Sequence, residues 1–201
     1  MSEEQKNRIW KARLTITIVA SLFLLPILVS WFLVFFTDYK PGSGGTEHGI
    51  LIQPARQLQD VMLTDPITGK KHNLHDKWTL LSPVFGDCEE LCQSNIYSMR
   101  QIRLAMGKEM QRIQRVTFFS NKSYLENTEE LFSDYPGHQV LFAPASQQDF
   151  GKLLTVDGID TNNAIYLVDP AGFLVICYPQ DTDPSGIIKD MKRLLRISKL
   201  D

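Results

Sequence analysis

The chain has 201 residues, enough for one domain plus an appendage, with 21 basic against 23 acidic side chains and a formal net charge of −2. That near-neutral balance argues against a nucleic-acid partner, whose phosphates demand a clustered basic surface. No internal repeat or long low-complexity tract divides the sequence.

From the N-terminus, the first strong signal is apolar. Leu14 to Phe36, LTITIVASLFLLPILVSWFLVFF, is a run of 23 residues without a charge. At about 1.5 Å per residue a helix of that length reaches roughly 35 Å, enough to cross a bilayer core. A cleavable signal peptide would carry a shorter apolar stretch, about 7–15 residues, closed by a small-x-small site. This run ends instead in FLVFFTDYK, and its internal Pro26 is tolerable in a membrane helix. Lys6, Arg8, Lys11 and Arg13 precede the run, whereas only Lys40 follows closely. The positive-inside tendency therefore keeps the N-terminus cytoplasmic and exports the rest. The expected organisation is a cytoplasmic N-terminus over 1–13, a transmembrane anchor over 14–36, a linker over 37–54 and a folded domain over 55–201. The location that follows is the inner membrane, single-pass, with the C-terminal domain in the periplasm.

KPGSGGTEHG, residues 40–49, reads as a flexible tether. LQDVMLTDPITGKKHNL then reads as two short extended pieces around a turn at Pro66–Gly69. WTLLSPVF, 78–85, is a buried strand, broken by Gly86 and Asp87. A helix follows from about Cys92 to Gly107, with Ile96, Met99, Ile102, Arg103 and Met106 at helical spacing. RVTFFS is the next strand. SYLENTEELFSDY reads as a helix with a capping box of Ser123 and Glu126. HQVLFAP is a strand, SQQDFGKLL a short helix, NAIYLVDPAGFLVICY a hairpin, and SGIIKDMKRLLRI a closing amphipathic helix. Strands alternating with helices, then a hairpin and a last helix, predict a three-layer α/β sandwich on a mixed sheet.

Two of the three cysteines, Cys88 and Cys92, lie in GDCEELCQS, where strand gives way to helix. The first turn of a helix offers unpaired N–H groups and the positive end of the macrodipole, which favour a thiolate. Glu89 and Glu90 lie between the two cysteines and oppose that effect. The three-residue gap lets both sulfurs converge on one external atom or bond to each other. In an exported, oxidising compartment the pair is a redox couple, a metal site or a structural disulfide. Cys177, in the apolar FLVICY, reads as a small core residue.

With the strand–helix order and the N-terminal anchor, TGKKHNLHDKWTLLSPVFGDCEELC and NAIYLVDPAGFLV are similar to the Sco/SenC proteins of cytochrome c oxidase assembly, across residues 55–196. The resemblance implies a thioredoxin-like fold. It carries onto Cys88 and Cys92 the family's two cysteines, which bind copper and cycle between dithiol and disulfide. The implied partner is cytochrome c oxidase subunit II or another oxidase assembly factor. Two positions depart from the family pattern. Thr161 stands about where the family has a third copper ligand, a histidine, and Gln93 stands where a proline usually follows the second cysteine. The four histidines, His48, His72, His75 and His138, all lie elsewhere. Two thiolates suit Cu(I), whereas Cu(II) favours an added imidazole. Three functions stay open: thiol–disulfide exchange, copper carriage, and a non-catalytic interaction role with a structural disulfide.

Overall fold

A computed structural model describes residues 3–36, 48–58, 60–125, 129–143, 150–180 and 182–198. The chain divides into two units, Met1–Thr46 and Glu47–Asp201. The first contains helix α1, Glu3–Phe36, with Pro26 inside it. Asn7–Phe32 is long and apolar enough to cross a membrane, and none of its most apolar stretch is buried in protein. The Thr15 and Thr17 hydroxyls donate to the carbonyls of Lys11 and Arg13 at 3.0 and 2.9 Å, so neither is left unpaired on an apolar helix.

In the second unit β1 (Ile50–Gln57), β2 (Leu63–Thr64), β3 (Lys71–His72) and β4 (Trp78–Val84) precede helix α2 (Glu90–Ala105). Then come β5 (Ile113–Phe119), α3 (Glu129–Ser133), β6 (His138–Phe142), α4 (Phe150–Leu153), β7 (Ile165–Val168), β8 (Phe173–Tyr178) and α5 (Pro184–Ile197). All eight strands join one sheet in the order β1-β8-β7-β4-β5-β6-β2-β3. The pairs β4–β5 and β5–β6 are parallel, and every other pair is antiparallel. With helices on both faces, this is the expected thioredoxin-like sandwich on a mixed sheet.

Alternation along the strands sorts the core into two layers. Leu80 of β4, Ile165 and Leu167 of β7, and Ile113 of β5 pack with Met99 and Ile102 of α2 and with Ile187, Met191 and Leu195 of α5. Their neighbours Leu81, Tyr166, Val168 and Val116 face the opposite layer, with Phe150 and Leu154 around α4. The predicted stripe Ile96, Met99, Ile102 and Met106 is buried. Arg103 in the same stripe is half-buried and donates from Nε to the Ile113 carbonyl at 3.0 Å.

Three local expectations change. Residues 50–54, assigned to the linker, belong to β1, which pairs with β8 from Ile50 opposite Cys177 to Gln57 opposite Phe173. Only Ile52 of this edge strand is buried and Pro54 interrupts it, so no alternating signal reaches the sequence. Asn121 caps the turn at Lys122–Leu125, its Oδ1 accepting from the Ser123 amide at 3.1 Å; Glu126 lies outside the described residues. The helix read over SQQDFGKLL is described only over Phe150–Leu153, and residues 40–47 of the tether likewise lie outside the described part.

The chain enters this unit through a tight clasp. Buried Asp190 of α5 accepts from the His48 amide at 2.8 Å and pairs with His48 Nδ1 at 3.0 Å. The Tyr178 hydroxyl donates to the same carboxylate at 3.2 Å. A Cβ on Gly186 would sit 2.7 Å from the His48 side chain, so only glycine admits the approach. Asp190→Ala removes the acceptor shared by the His48 amide, the His48 ring and the Tyr178 hydroxyl. The expected loss is roughly 2–4 kcal/mol in denaturant unfolding, with Asp190→Asn losing less. A loss for Asp190→Ala within the noise of surface substitutions would show that the clasp contributes nothing.

Candidate functional site

The site is built at the carboxyl end of β4. All seven residues of β4 are buried, and β5 pairs with it from Trp78 to Val84. Pairing with β7 covers only Thr79 to Leu81. Beyond Leu81 the β7 side of β4 is open, and Pro83, which has no N–H to donate, falls in that unpaired stretch. Phe85 and Gly86 follow, and α2 begins at Glu90, two residues earlier than the spacing predicts.

Cys88 precedes the helix and Cys92 is its third residue; the two are joined as a disulfide with Cα atoms 5.2 Å apart. Their surroundings differ. Cys92 is 2% exposed, packed with Val84, Ile96 and Phe119, whereas Cys88 is only partly buried at the border of that cluster. An incoming nucleophile therefore meets Cys88 first. Gln93, standing in place of proline, directs Nε2 to the Cys88 carbonyl at 3.4 Å and so ties the loop to the helix. Glu89, the N-cap, makes no side-chain capping bond, and the first-turn amides of α2 lie at the cysteine pair. Asp87, Glu89 and Glu90 are all exposed around it.

At the carboxyl ends of the parallel strands a cleft of about 430 Å³ is walled by Phe85, Phe118, Ser120, Gly151 and Thr161 among others, and neither cysteine lines it. Thr161 lines this cleft and supplies no imidazole. The gap between β4 and the loop before β7 is bridged by Asn95, a residue sequence reasoning passed over. It is 8% exposed, and Nδ2 donates to the Asn163 carbonyl at 2.6 Å and lies 3.4 Å from Ser82 Oγ. Asn163 has φ +61°, a backbone that asparagine tolerates better than most residues. The available signal was an amide on the inner face of α2, next to Ile96.

The histidines are occupied elsewhere. His48 binds Asp190, and His75 Nδ1 lies 2.9 Å from Asp76 Oδ2. His72 pairs opposite Leu63 in the β2–β3 hairpin. His138 Nε2 is 2.8 Å from Thr117 Oγ1, and burial, with Arg115 adding to it, lowers its pKa to about 3. Among the described residues, no three His, Cys, Asp or Glu side chains are grouped to hold a metal. Cys177 is fully buried as a free thiol beneath the sheet; burial pushes it up to about 11, offset in part by a hydrogen bond with Tyr166.

Comparison with known proteins agrees with this geometry. The family model "Transmembrane-like, thioredoxin-like, C-terminal domain" matches residues 78–198. A search of curated proteins found no match. Among solved structures, apo Sco1 of Thermus thermophilus superposes with a TM-score of 0.56 at 18% identity, covering 76% of this chain and 99% of that one. BsSco, a Sco-family oxidase assembly protein with an identified disulfide switch, gives 0.53 at 17%, covering 73% and 98%. Copper-bound yeast Sco1 gives 0.52 at 16%, covering 74% and 92%. At these identities the likeness is one of fold.

Two measurements follow from these environments. After mild reduction of the native protein, Cys88 should be alkylated well before Cys92, while Cys177 stays unlabelled at pH 8 until denaturant is added; prompt native labelling of Cys177 would contradict its burial. His138 gives a pH dependence. Its folded pKa, about 3, lies below the unfolded value of about 6.5, so its contribution is complete above pH 6.5 and is lost as pH falls toward 3. The slope from this one proton is at most about 1.4 kcal/mol per pH unit. Urea unfolding of wild type and His138→Asn at pH 7, 6 and 5 should show wild type losing more stability per unit; equal slopes would count against a buried neutral imidazole.

Proposed function

The chain belongs to the family of transmembrane-like, thioredoxin-like C-terminal domains, and from that premise we propose that it is a membrane-anchored, Sco-like assembly factor for cytochrome c oxidase acting by thiol–disulfide exchange through Cys88 and Cys92. The observation that carries this reading is the closed pair itself, at a helix N-terminus with one sulfur approachable and the other buried. In this reading the folded unit lies on the periplasmic side, and its partner is oxidase subunit II or another assembly factor.

In the reduced form, the Cys88 thiolate attacks one sulfur of a partner disulfide. A Cys88–partner bond forms, and the other partner sulfur leaves with the electron pair and takes a proton. The Cys92 thiolate then attacks Cys88 Sγ, closing the internal disulfide and releasing the second partner thiol. Two electrons have passed to the partner, and a dithiol donor must return them for another cycle. The helix N-terminus favours the thiolate of Cys92 during this resolution. Copper enters as cargo. Two thiolates fit Cu(I), a soft ion that accepts low coordination, whereas the residues present do not complete an imidazole-assisted Cu(II) site. Support for a copper role comes from the copper-bound yeast relative, and for a redox role from the disulfide switch of BsSco.

The packing of Cys92 against Val84, Ile96 and Phe119 favours one alternative, a purely structural disulfide in a non-catalytic interaction protein. Its sequence separation of only 4 residues weakens that alternative. Closing so short a loop restricts the unfolded chain by only about 2 kcal/mol in the chain-entropy model, against about 4.7 for a 100-residue loop.

The deciding measurement is the redox equilibrium of the full chain in detergent, with Cu(I) titration of the reduced form. The expected potential lies above about −300 mV, the region of exchangeable disulfides. The reduced wild type should take up Cu(I), Cys88→Ser/Cys92→Ser should not, and the double mutant should stay folded but fail to support oxidase assembly. A potential well below that bound, with assembly intact in the double mutant, would establish the structural alternative.

A further inference from the structure

We propose that Arg115, Arg100 and Arg103 form a binding site for a single oxyanion, a carboxylate or a phosphate, beneath the far half of α2 from the cysteines. Arg115 is the anomaly that carries the inference. It stands on β5 in the row that faces α2, between Ile113 and Thr117, and is 3% exposed. Its Nη2 donates to the Pro136 carbonyl at 2.8 Å, while Nε and Nη1 have no acceptor among the described residues. A guanidinium keeps its charge in proteins, so this is a buried cation with N–H groups unpaired, an arrangement that native structures rarely leave uncompensated.

The neighbours deepen the deficit of negative charge. Arg103 reaches the Ile113 carbonyl, two residues before Arg115 on the same strand. Arg100, one turn earlier on α2, rests its guanidinium 5.9 Å from the centroid of Tyr135, the residue before Pro136. Both arginines add their charge to burial in lowering the pKa of Arg115, and neither they nor Arg115 has a carboxylate within 4.0 Å among the described residues. His138, opposite Arg115 in the parallel register, also has an unpartnered buried atom, Nδ1. Its other ring nitrogen, Nε2, lies 2.8 Å from Thr117 Oγ1.

Donors without acceptors and like charges without a counter-charge point to one ligand chemistry. A planar guanidinium pairs best with carboxylate or phosphate oxygens, through parallel N–H bonds. Arg100 is exposed, and its cation–π contact with Tyr135 is of the weak, solvent-exposed kind. The side chain can leave the ring and add its own donors to an arriving anion.

The test uses the full chain in detergent micelles at constant ionic strength, with chloride replaced stepwise by sodium acetate in one arm and sodium phosphate in the other. The readouts are the melting temperature and the NMR resonances of the arginine Nε–H groups. Wild type should show a saturable rise in melting temperature and a shift of the Arg115 Nε–H signal. Whichever anion half-saturates at the lower concentration identifies the class. Arg100→Gln, at an exposed position that leaves folding intact, should weaken half-saturation several-fold. Arg115→Met should abolish it, and Lys192→Gln on α5 should leave it unchanged. Phosphate also stabilises proteins non-specifically by exclusion from their surface. A linear rise, parallel in wild type, Arg100→Gln and Lys192→Gln, with no Nε–H shift, would overturn the proposal.

Discussion

Parallel pairing of β4 with β5 is the constraint on which the site depends. Two parallel neighbours cannot be joined by a tight turn; the chain must cross over the sheet, and α2 is that crossover. The helix must therefore start within a few residues of the carboxyl end of β4. GDCEELCQS occupies that corner, so both cysteines are carried to the rim of the sheet before any side-chain chemistry is considered. The early end of β4–β7 pairing at Leu81 leaves space beside them, and Asn95 spans that space by bonding the Asn163 carbonyl. The site is thus an opening in the ladder, held at a fixed width by one buried amide.

The three cysteines show how burial and helix position assign roles to one kind of side chain. Cys177, deep in the β8 row, is pushed up to about 11 by burial and is chemically quiet at neutral pH. Cys92 is buried equally well, yet it lies in the first turn of α2, where unpaired amides favour a thiolate leaving group. Cys88 lies just outside that turn and is the sulfur within reach. Glu90 in the first turn and Arg103 in the last both complement the macrodipole of α2. The same Glu90, with Asp87 and Glu89, competes with a cysteine thiolate for the positive end of the helix. Local helix stability and thiolate stability thus pull in opposite directions, a conflict found where function overrides local consistency.

Much of this was legible in the sequence because the signals were periodic. The apolar runs WTLLSPVF and NAIYLV marked strands and the Ile96–Met99–Ile102–Met106 stripe marked a helix, whereas the two core layers show only in the packing. What stayed hidden depended on single polar contacts between distant segments. β1 buries only Ile52 and carries Pro54, so its place in the sheet is set by β8 and by the Asp190 clasp on His48, neither local to it. Asn95 looks like an ordinary helix residue until Asn163 is brought opposite it. Arg115 lies in β5 between Ile113 and Thr117, and only the packing of α2 over that row shows that its charge is buried without a counter-charge.

The substitution at Thr161 narrows what the corner can do. Thr161, about where the resemblance would place an imidazole, lines the cleft at the carboxyl ends of the parallel strands. A hydroxyl is a hard, neutral oxygen and adds little to a soft ion held by two sulfurs. Each described histidine is committed elsewhere: His48 to Asp190, His75 beside Asp76, His72 in its hairpin, and His138 buried neutral against Thr117. Reaching the rim would require breaking the entry clasp in one case and the β5–β6 packing in another. The residues of this chain therefore favour chemistry that two sulfurs can complete alone. Under the proposed function that chemistry is electron-pair exchange, and the copper oxidation state that two thiolates suit is Cu(I).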